Sequence, residues 1–95
     1  MYGIVRTKDF EKSVRKLRRS GKFSVSAEGD LADVIDTLAS GKTLPKSYFD
    51  HALKGEYAGY RECHIKGDLL LVYVRKEKIL VIVLVDIDTH SGIFG

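Results

Sequence analysis

Four side chains carry most of the chemistry this sequence can offer: His51, His64, Asp68 and His90. Imidazoles with a nearby carboxylate suit the cleavage of RNA without a metal. In that reaction the 2′-hydroxyl attacks the adjacent phosphate, a base takes its proton, and an acid protonates the departing 5′-oxygen. Positive charge stabilises the crowded phosphorane between them. Imidazole, with an ordinary pKa of about 6.5, gives and takes protons near neutrality. A carboxylate such as Asp68 can act as base or orient a histidine. Phe94 offers a platform for stacking a base, and Lys54, Arg61 and Lys66 offer contacts to phosphate. Each residue also has a plainer reading. The histidines could be solvated strand ends, Asp68 a turn former after Gly67, and Lys54-Gly55 and Gly59 turn chemistry. Cys63 and His64 with His51 match no zinc-binding pattern, and there is no second cysteine, so neither a metal nor a cofactor is expected. Cys63 reads as a small core residue.

The elements that must position these groups follow from periodicity. Tyr2 to Arg6 reads as a first strand. A helix follows over Lys8 to Ser20, with Phe10, Val14 and Leu17 at i, i+4 and i+7 on an otherwise basic surface. Ser20-Gly21 stops it. A second helix is expected from Gly29 to Ala39, with Leu31, Val34, Ile35 and Leu38 on one face and Asp30 as its N-cap. The two form a helical hairpin laid on a sheet. Gly41 to Asp50, with Pro45, reads as loop. Tyr60 to Ile65 then alternates, Tyr60, Glu62 and His64 on one face and Arg61, Cys63 and Ile65 on the other. Lys66-Gly67-Asp68 turns the chain into a strand from Leu69 to Arg75. Lys76-Glu77-Lys78 turns it into a last strand from Ile79 to Asp86, leaving a tail from Ile87 to Gly95.

The last two strands are nearly all apolar, so both faces of the sheet are expected to be covered there. Short turns make the three strands an antiparallel meander. The fold class is α+β, an antiparallel sheet with an N-terminal helical hairpin on one face. In a meander the end of one strand lies beside the start of the next, so His64 and Asp68 are expected close across their turn. His51 and His90 can reach the same surface, although spacing alone does not require it.

With 95 residues the chain has material for one domain, residues 1–95, and one modest core. No apolar run is long enough to cross a membrane. The first residues lack the apolar centre of a signal peptide, and a lone cysteine cannot close an internal disulfide, so the cytoplasm is the expected location. The formal net charge is +3. Arg6, Lys8, Lys12, Arg15, Lys16, Arg18, Arg19 and Lys22 crowd the first quarter against Asp9 and Glu11. Such a cluster attracts a polyanion, docks an acidic protein segment, or is simply a solvated face.

The stretch from His51 to Tyr73 resembles the signature region of the YafQ toxins, a branch of the RelE superfamily. That family shows His-x-Leu-x-Gly, then Gly-x-Arg-Glu-Cys-His-Ile, then an aspartate opening an apolar strand. Upstream, Leu31-x-x-Val-Ile-Asp-x-Leu-Ala-x-Gly41, followed by a proline and a tyrosine, is similar to the same family. So is the tail Thr89-His90-Ser91-Gly92-Ile93-Phe94. The resemblance implies a RelE-like fold and a toxin that cuts messenger RNA in the A site of the small ribosomal subunit, silenced by an antitoxin of the RelB/DinJ type. It carries the family's catalytic positions onto His51, His64, Asp68 and His90, with Phe94 as a substrate contact. His90 would be the general acid, His64 and Asp68 would share base and orienting work, and His51 would assist.

Two positions depart from the pattern. The family commonly has arginine four residues before the tail histidine, where this chain has Asp86. It often has tryptophan after the motif aspartate, where this chain has Leu69. An arginine at the first place would stabilise the phosphorane, and losing such a group costs on the order of 10²–10³ in rate. Related RelE-like sequences carry Asp-Ile-Gly-Thr-His there, and Asp86 could equally form a structural turn. Replacement charge would have to come from Lys54, Arg61 or Lys66. Competing readings are a non-catalytic binding protein on the same scaffold, a ParE-like gyrase inhibitor, and a domain that only docks an acidic partner through its first helix.

Overall fold

The computed structural model describes residues 1–95. Strand β1 (Gly3–Arg6) leads into helix α1 (Lys8–Arg19) and helix α2 (Val25–Ala39). A connection with a 3-10 turn at Lys46–Tyr48 reaches β2 (His51–Ala52), and a second such turn lies at Gly55–Tyr57. Strands β3 (Arg61–Lys66), β4 (Leu69–Lys76) and β5 (Val81–Thr89) follow, and helix α3 (His90–Phe94) comes last. No helix is long and apolar enough to cross a membrane.

The strands form one sheet in the order β1-β5-β4-β3-β2. The three long strands make the expected antiparallel meander. β1, however, lies parallel to β5, from Gly3 beside Val81 to Arg6 beside Leu84, so the sheet is mixed. The helical hairpin that follows β1 carries the chain across the sheet, and a long connection of that kind permits a parallel neighbour where a tight turn cannot.

Thr7 fixes the start of α1. Its hydroxyl oxygen accepts from the Phe10 amide at 3.1 Å and lies 2.9 Å from both the Leu84 and Val85 carbonyl oxygens, so the cap also ties the helix to β5. Asp9 and Glu11 sit in the first turn and Lys16, Arg18 and Arg19 in the last, each sign matched to the helix dipole. Gly21, at φ +74°, takes the left-handed turn that ends the helix. The second helix begins at Val25, not Gly29, and its cap is Ser24, whose Oγ accepts from the Ala27 amide at 3.0 Å; Asp30 lies inside it. A glycine within a helix costs about 1 kcal/mol. Burial of Ala27 and Leu31 offsets that cost.

The last strand starts two residues later than expected and runs three further. Ile79 and Leu80 belong to the turn, with Leu80 at φ +53°. A bulge opposite Val72 and Tyr73 lets β5 continue past Asp86 to Thr89. The tail then forms α3, capped by the Thr89 hydroxyl.

Phe10, Val14 and Leu17 of α1 and Leu31, Val34 and Leu38 of α2 pack on Cys63, Ile65, Leu71, Tyr73, Ile82, Leu84 and Ile87 of the sheet. Leu70 and Val72 point away from this core, yet they are 1% and 4% exposed. Their cover comes from two segments. Tyr57 precedes β3 and Phe94 follows β5, and their rings meet edge to face at 5.1 Å, so the contact bridges β4, which lies between those strands. The second face is thus covered near Leu70 and Val72, while Val5, on the outer strand β1, is 47% exposed.

Truncating Leu38, fully buried, to alanine is expected to lower unfolding free energy by about 2–5 kcal/mol. Val25→Ala, at a residue 91% exposed, is expected to change it by less than about 0.5 kcal/mol. Urea denaturation followed by circular dichroism checks both.

Candidate active site

Strand alternation divides β3 between two tasks. Cys63 and Ile65 enter the helix-side core, and Glu62 and His64 face the other way. His51 of β2 lies directly across from Glu62, which brings it to the same face. The result is one carboxylate with two imidazoles. Glu62 Oε1 lies 3.5 Å from His64 Nε2 and 3.7 Å from His51 Nε2. The Glu62 side chain is 7% exposed, whereas those of His51 and His64 are 50% and 40% exposed. The carboxylate is therefore the floor, and the imidazoles are the groups a substrate can touch.

His51 has a fixed tautomer. Its Nδ1 lies 2.7 Å from the carbonyl oxygen of Phe49, an acceptor only, so Nδ1 carries the hydrogen and donates it. In the neutral ring Nε2 then holds the lone pair. It can take a proton, and Glu62 Oε1 stands within ion-pairing distance of the imidazolium that forms. His51 is held in place by its neighbour. Asp50 Oδ1 accepts from the buried Tyr73 hydroxyl at 2.7 Å and from Arg61 Nε at 3.3 Å. Burial, and then the bond to Asp50, push the Tyr73 phenol well above its ordinary pKa. It remains a neutral donor across the working range.

His90 is the first residue of α3, and its ring lies 5.1 Å from that of Phe94. A second carboxylate supports this helix. Asp88 lies on the histidine-bearing face, in a cross-strand row with Leu70 and His64. It accepts from the Thr89 amide at 2.7 Å and packs against Gly92, where any Cβ would collide with the carboxylate. A side chain at position 92 would therefore require the Asp88 carboxylate to move. No hydrogen bond or ion pair joins His90 to His51 or His64.

Asp68 is not in this cluster. It is exposed in the turn between β3 and β4 and makes no hydrogen bond or ion pair to His64. Gly67 and Asp68 are the two turn residues between Lys66 and Leu69, which pair with each other, and the residue directly across from His64 is Leu70, not Asp68. Asp68 instead lines a groove of about 400 Å³ with Lys22, Ser24, Lys66 and Thr89, at the sheet end where α3 begins. The buried carboxylate within ion-pairing distance of His64 is Glu62. Strand alternation had already placed Glu62 on the face of His64; its burial depends on the cover over β4, which no local pattern reveals.

The basic candidates divide as well. Arg61 lies on the face away from His64, paired with Asp50 at 3.3 Å. Lys66 Nζ donates to Ser26 Oγ at 2.8 Å on the first turn of α2. Lys54 is exposed before the turn at Gly55–Tyr57 and forms no ion pair. Asp86, at the position of the family arginine, has structural work. Its Oδ1 accepts from Ser13 Oγ at 2.6 Å and from the Ile87 amide at 2.8 Å, joining α1 to β5 beside the bulge.

No group of three or more His, Cys, Asp or Glu side chains is placed to hold a metal ion. Cys63 is fully buried on the face away from His64, and burial pushes its thiol up to about 12. It is neither a ligand partner for His64 nor a nucleophile.

Comparison with known proteins identifies the family. The family model described as bacterial toxin of type II toxin–antitoxin system, YafQ, matches residues 2–95. The mRNA interferase toxin YafQ of Escherichia coli strain K12 is 38% identical over 52 residues, which cover 55% of this chain and 54% of that protein. The chain's matches span about half the length of such curated relatives, or less. Among solved structures, a metal-bound toxin from Helicobacter pylori superposes with a TM-score of 0.86 at 38% identity, covering 99% of this chain and 100% of that one. The E. coli DinJ–YafQ toxin–antitoxin complex gives 0.83 at 25% identity, covering 99% and 98%. Sequence match and fold agree along the whole chain: it belongs to the YafQ family of bacterial toxins of type II toxin–antitoxin systems.

Proposed function

We propose that this chain is an endoribonuclease toxin that cuts messenger RNA on the ribosome and is silenced by an antitoxin of the DinJ type. One observation carries the catalytic part: two accessible imidazoles share one buried carboxylate on the exposed side of the sheet. The E. coli relative bears the name mRNA interferase, and another structural relative is a toxin–antitoxin complex, which supports both the substrate and the partner. The cytoplasm, where messenger and ribosome meet, is the corresponding location.

The reaction needs no more than these side chains supply. His51 Nε2, with its hydrogen fixed on Nδ1, or His64 takes the 2′-hydroxyl proton, and Glu62 holds the resulting imidazolium. His90, at the start of α3, gives its proton to the departing 5′-oxygen. Phe94 holds the His90 ring and in turn leans on Tyr57. Asp68, Lys66 and Lys22 border the groove where the message leaves the site, and Lys54 is the basic candidate left free to meet a phosphate. A short exposed face rather than a deep cleft suits an enzyme whose substrate is held by the ribosome.

A message-cleavage assay on programmed ribosomes tests this directly. The wild type is expected to cut, and His90→Ala to slow cutting by about 10²–10⁴-fold, the range for a general acid. Stalled translation with intact message would move the chain to the non-catalytic reading.

Asp86 gives an independent expectation. If its role is the strut to Ser13, Asp86→Ala and Ser13→Ala each lower stability by about 1 kcal/mol. The double variant should lose little more than Asp86→Ala alone, since that change already removes the bond to Ser13. Cleavage by the folded variants stays near the wild-type rate. A marked gain in cleavage for Asp86→Ala would show instead that this carboxylate repels the substrate.

A further inference from the structure

Phe49 is an exposed aromatic ring in an unfavourable backbone conformation, and the site just described does not use it. The residue is 65% exposed. Its φ and ψ are +50° and +41°, the left-handed region that a bulky residue seldom adopts. Strain of this kind persists where neighbouring bonds over-determine it, and here they do. The Phe49 amide donates to the Lys46 carbonyl at 3.0 Å, and its own carbonyl accepts from His51 Nδ1 at 2.7 Å. The next residue, Asp50, is pinned by Tyr73 and Arg61. The peptide that sets the tautomer of His51 is therefore the one that thrusts the Phe49 ring outward.

The ring meets His64 edge to face, with centroids 5.5 Å apart and planes at 62°. This contact takes up little of its surface. The other aromatics near the histidines are more committed: Phe94 is half-buried between Tyr57 and His90, and Tyr57 is half-buried against Phe94. Phe49 alone offers an open π-face beside the imidazoles. Any nucleotide whose 2′-hydroxyl or phosphate reaches His51 and His64 must place its base nearby, and stacking on an aromatic ring accepts every base.

We propose that Phe49 is the platform on which a nucleobase flanking the scissile phosphate stacks, a binding role that rests on the endoribonuclease reading above. The ring acts on substrate binding and not on proton transfer. Loss of an interaction made equally in ground and transition states raises KM and leaves kcat.

The test is steady-state cleavage on programmed ribosomes by the wild type, Phe49→Ala, Phe49→Leu and Phe49→Tyr, with binding of the purified antitoxin measured alongside. Phe49→Ala and Phe49→Leu are expected to raise KM by about tenfold or more, the loss seen when a stacking ring is truncated. Their kcat is expected to hold, and Phe49→Tyr to restore KM. Because the ring is exposed, melting temperatures of all three should stay near the wild type; Phe49→Gly, which relieves the left-handed strain, serves as a folded ring-less variant if Phe49→Ala does not fold. Equal KM across the set overturns the proposal, as does rescue by leucine, which would mean apolar contact without stacking. A fall in kcat at constant KM would assign the ring to His64 instead. A loss of antitoxin affinity with unchanged KM would assign it to the protein partner. If the wild type itself does not cut, the endoribonuclease reading fails and takes this proposal with it, an outcome separate from all the others.

Discussion

A carboxylate withdrawn from water must find positive charge or hydrogen-bond donors, or the fold loses several kcal/mol. Glu62, 5% exposed at the centre of the sheet's open face, has two partners within ion-pairing distance, and both are imidazoles. Much of the rest of the molecule keeps that arrangement in place. The β3–β4 and β4–β5 pairings set Val72 and Leu70 beside Glu62 and His64. The bridge from Phe94 to Tyr57 closes over β4. The helical hairpin fills the opposite face, so strand alternation leaves only one side for chemistry.

The supports for the site are polar bonds that begin in the core. Tyr73, wholly buried among helix-side residues, sends its hydroxyl to Asp50 and thereby anchors the peptide before His51. Thr7 binds α1 to the β5 carbonyls, and Ser13 binds it again through Asp86. β5 then runs on, past its bulge, to deliver His90 on a short helix whose Gly92 packs closely against the Asp88 carboxylate. Asp86, which stands where the family pattern has arginine, is thus bonded into the scaffold through Ser13 and the Ile87 amide.

Much of this was legible in the sequence, because period-2 and period-3.6 patterns report burial. The stripe Phe10, Val14, Leu17 and the meander from Arg61 onward both follow from local spacing. Sequence reasoning also set Arg61 opposite His64, where it lies. What it missed depended on partners distant in the chain. Gly29 and Asp30 look like a helix start, but the Ser24 side chain had already begun one. Asp86 looks like a strand end, but a bulge carries β5 three residues further. Asp68 sits in the turn as its sequence context suggests, but the residue that the register sets across from His64 is Leu70. Parallel pairing of β1 depends on where the hairpin returns the chain, which no window of residues encodes.

The most direct test of the account replaces Glu62 by glutamine, which keeps size and burial but removes the charge. If the carboxylate is the group that holds the proton-bearing imidazole, Glu62→Gln remains folded, with a melting temperature at or above the wild type, and cleaves message on programmed ribosomes about 10²-fold more slowly or worse. A folded Glu62→Gln protein that cuts at the wild-type rate would contradict the account and return the carboxylate's role to Asp68.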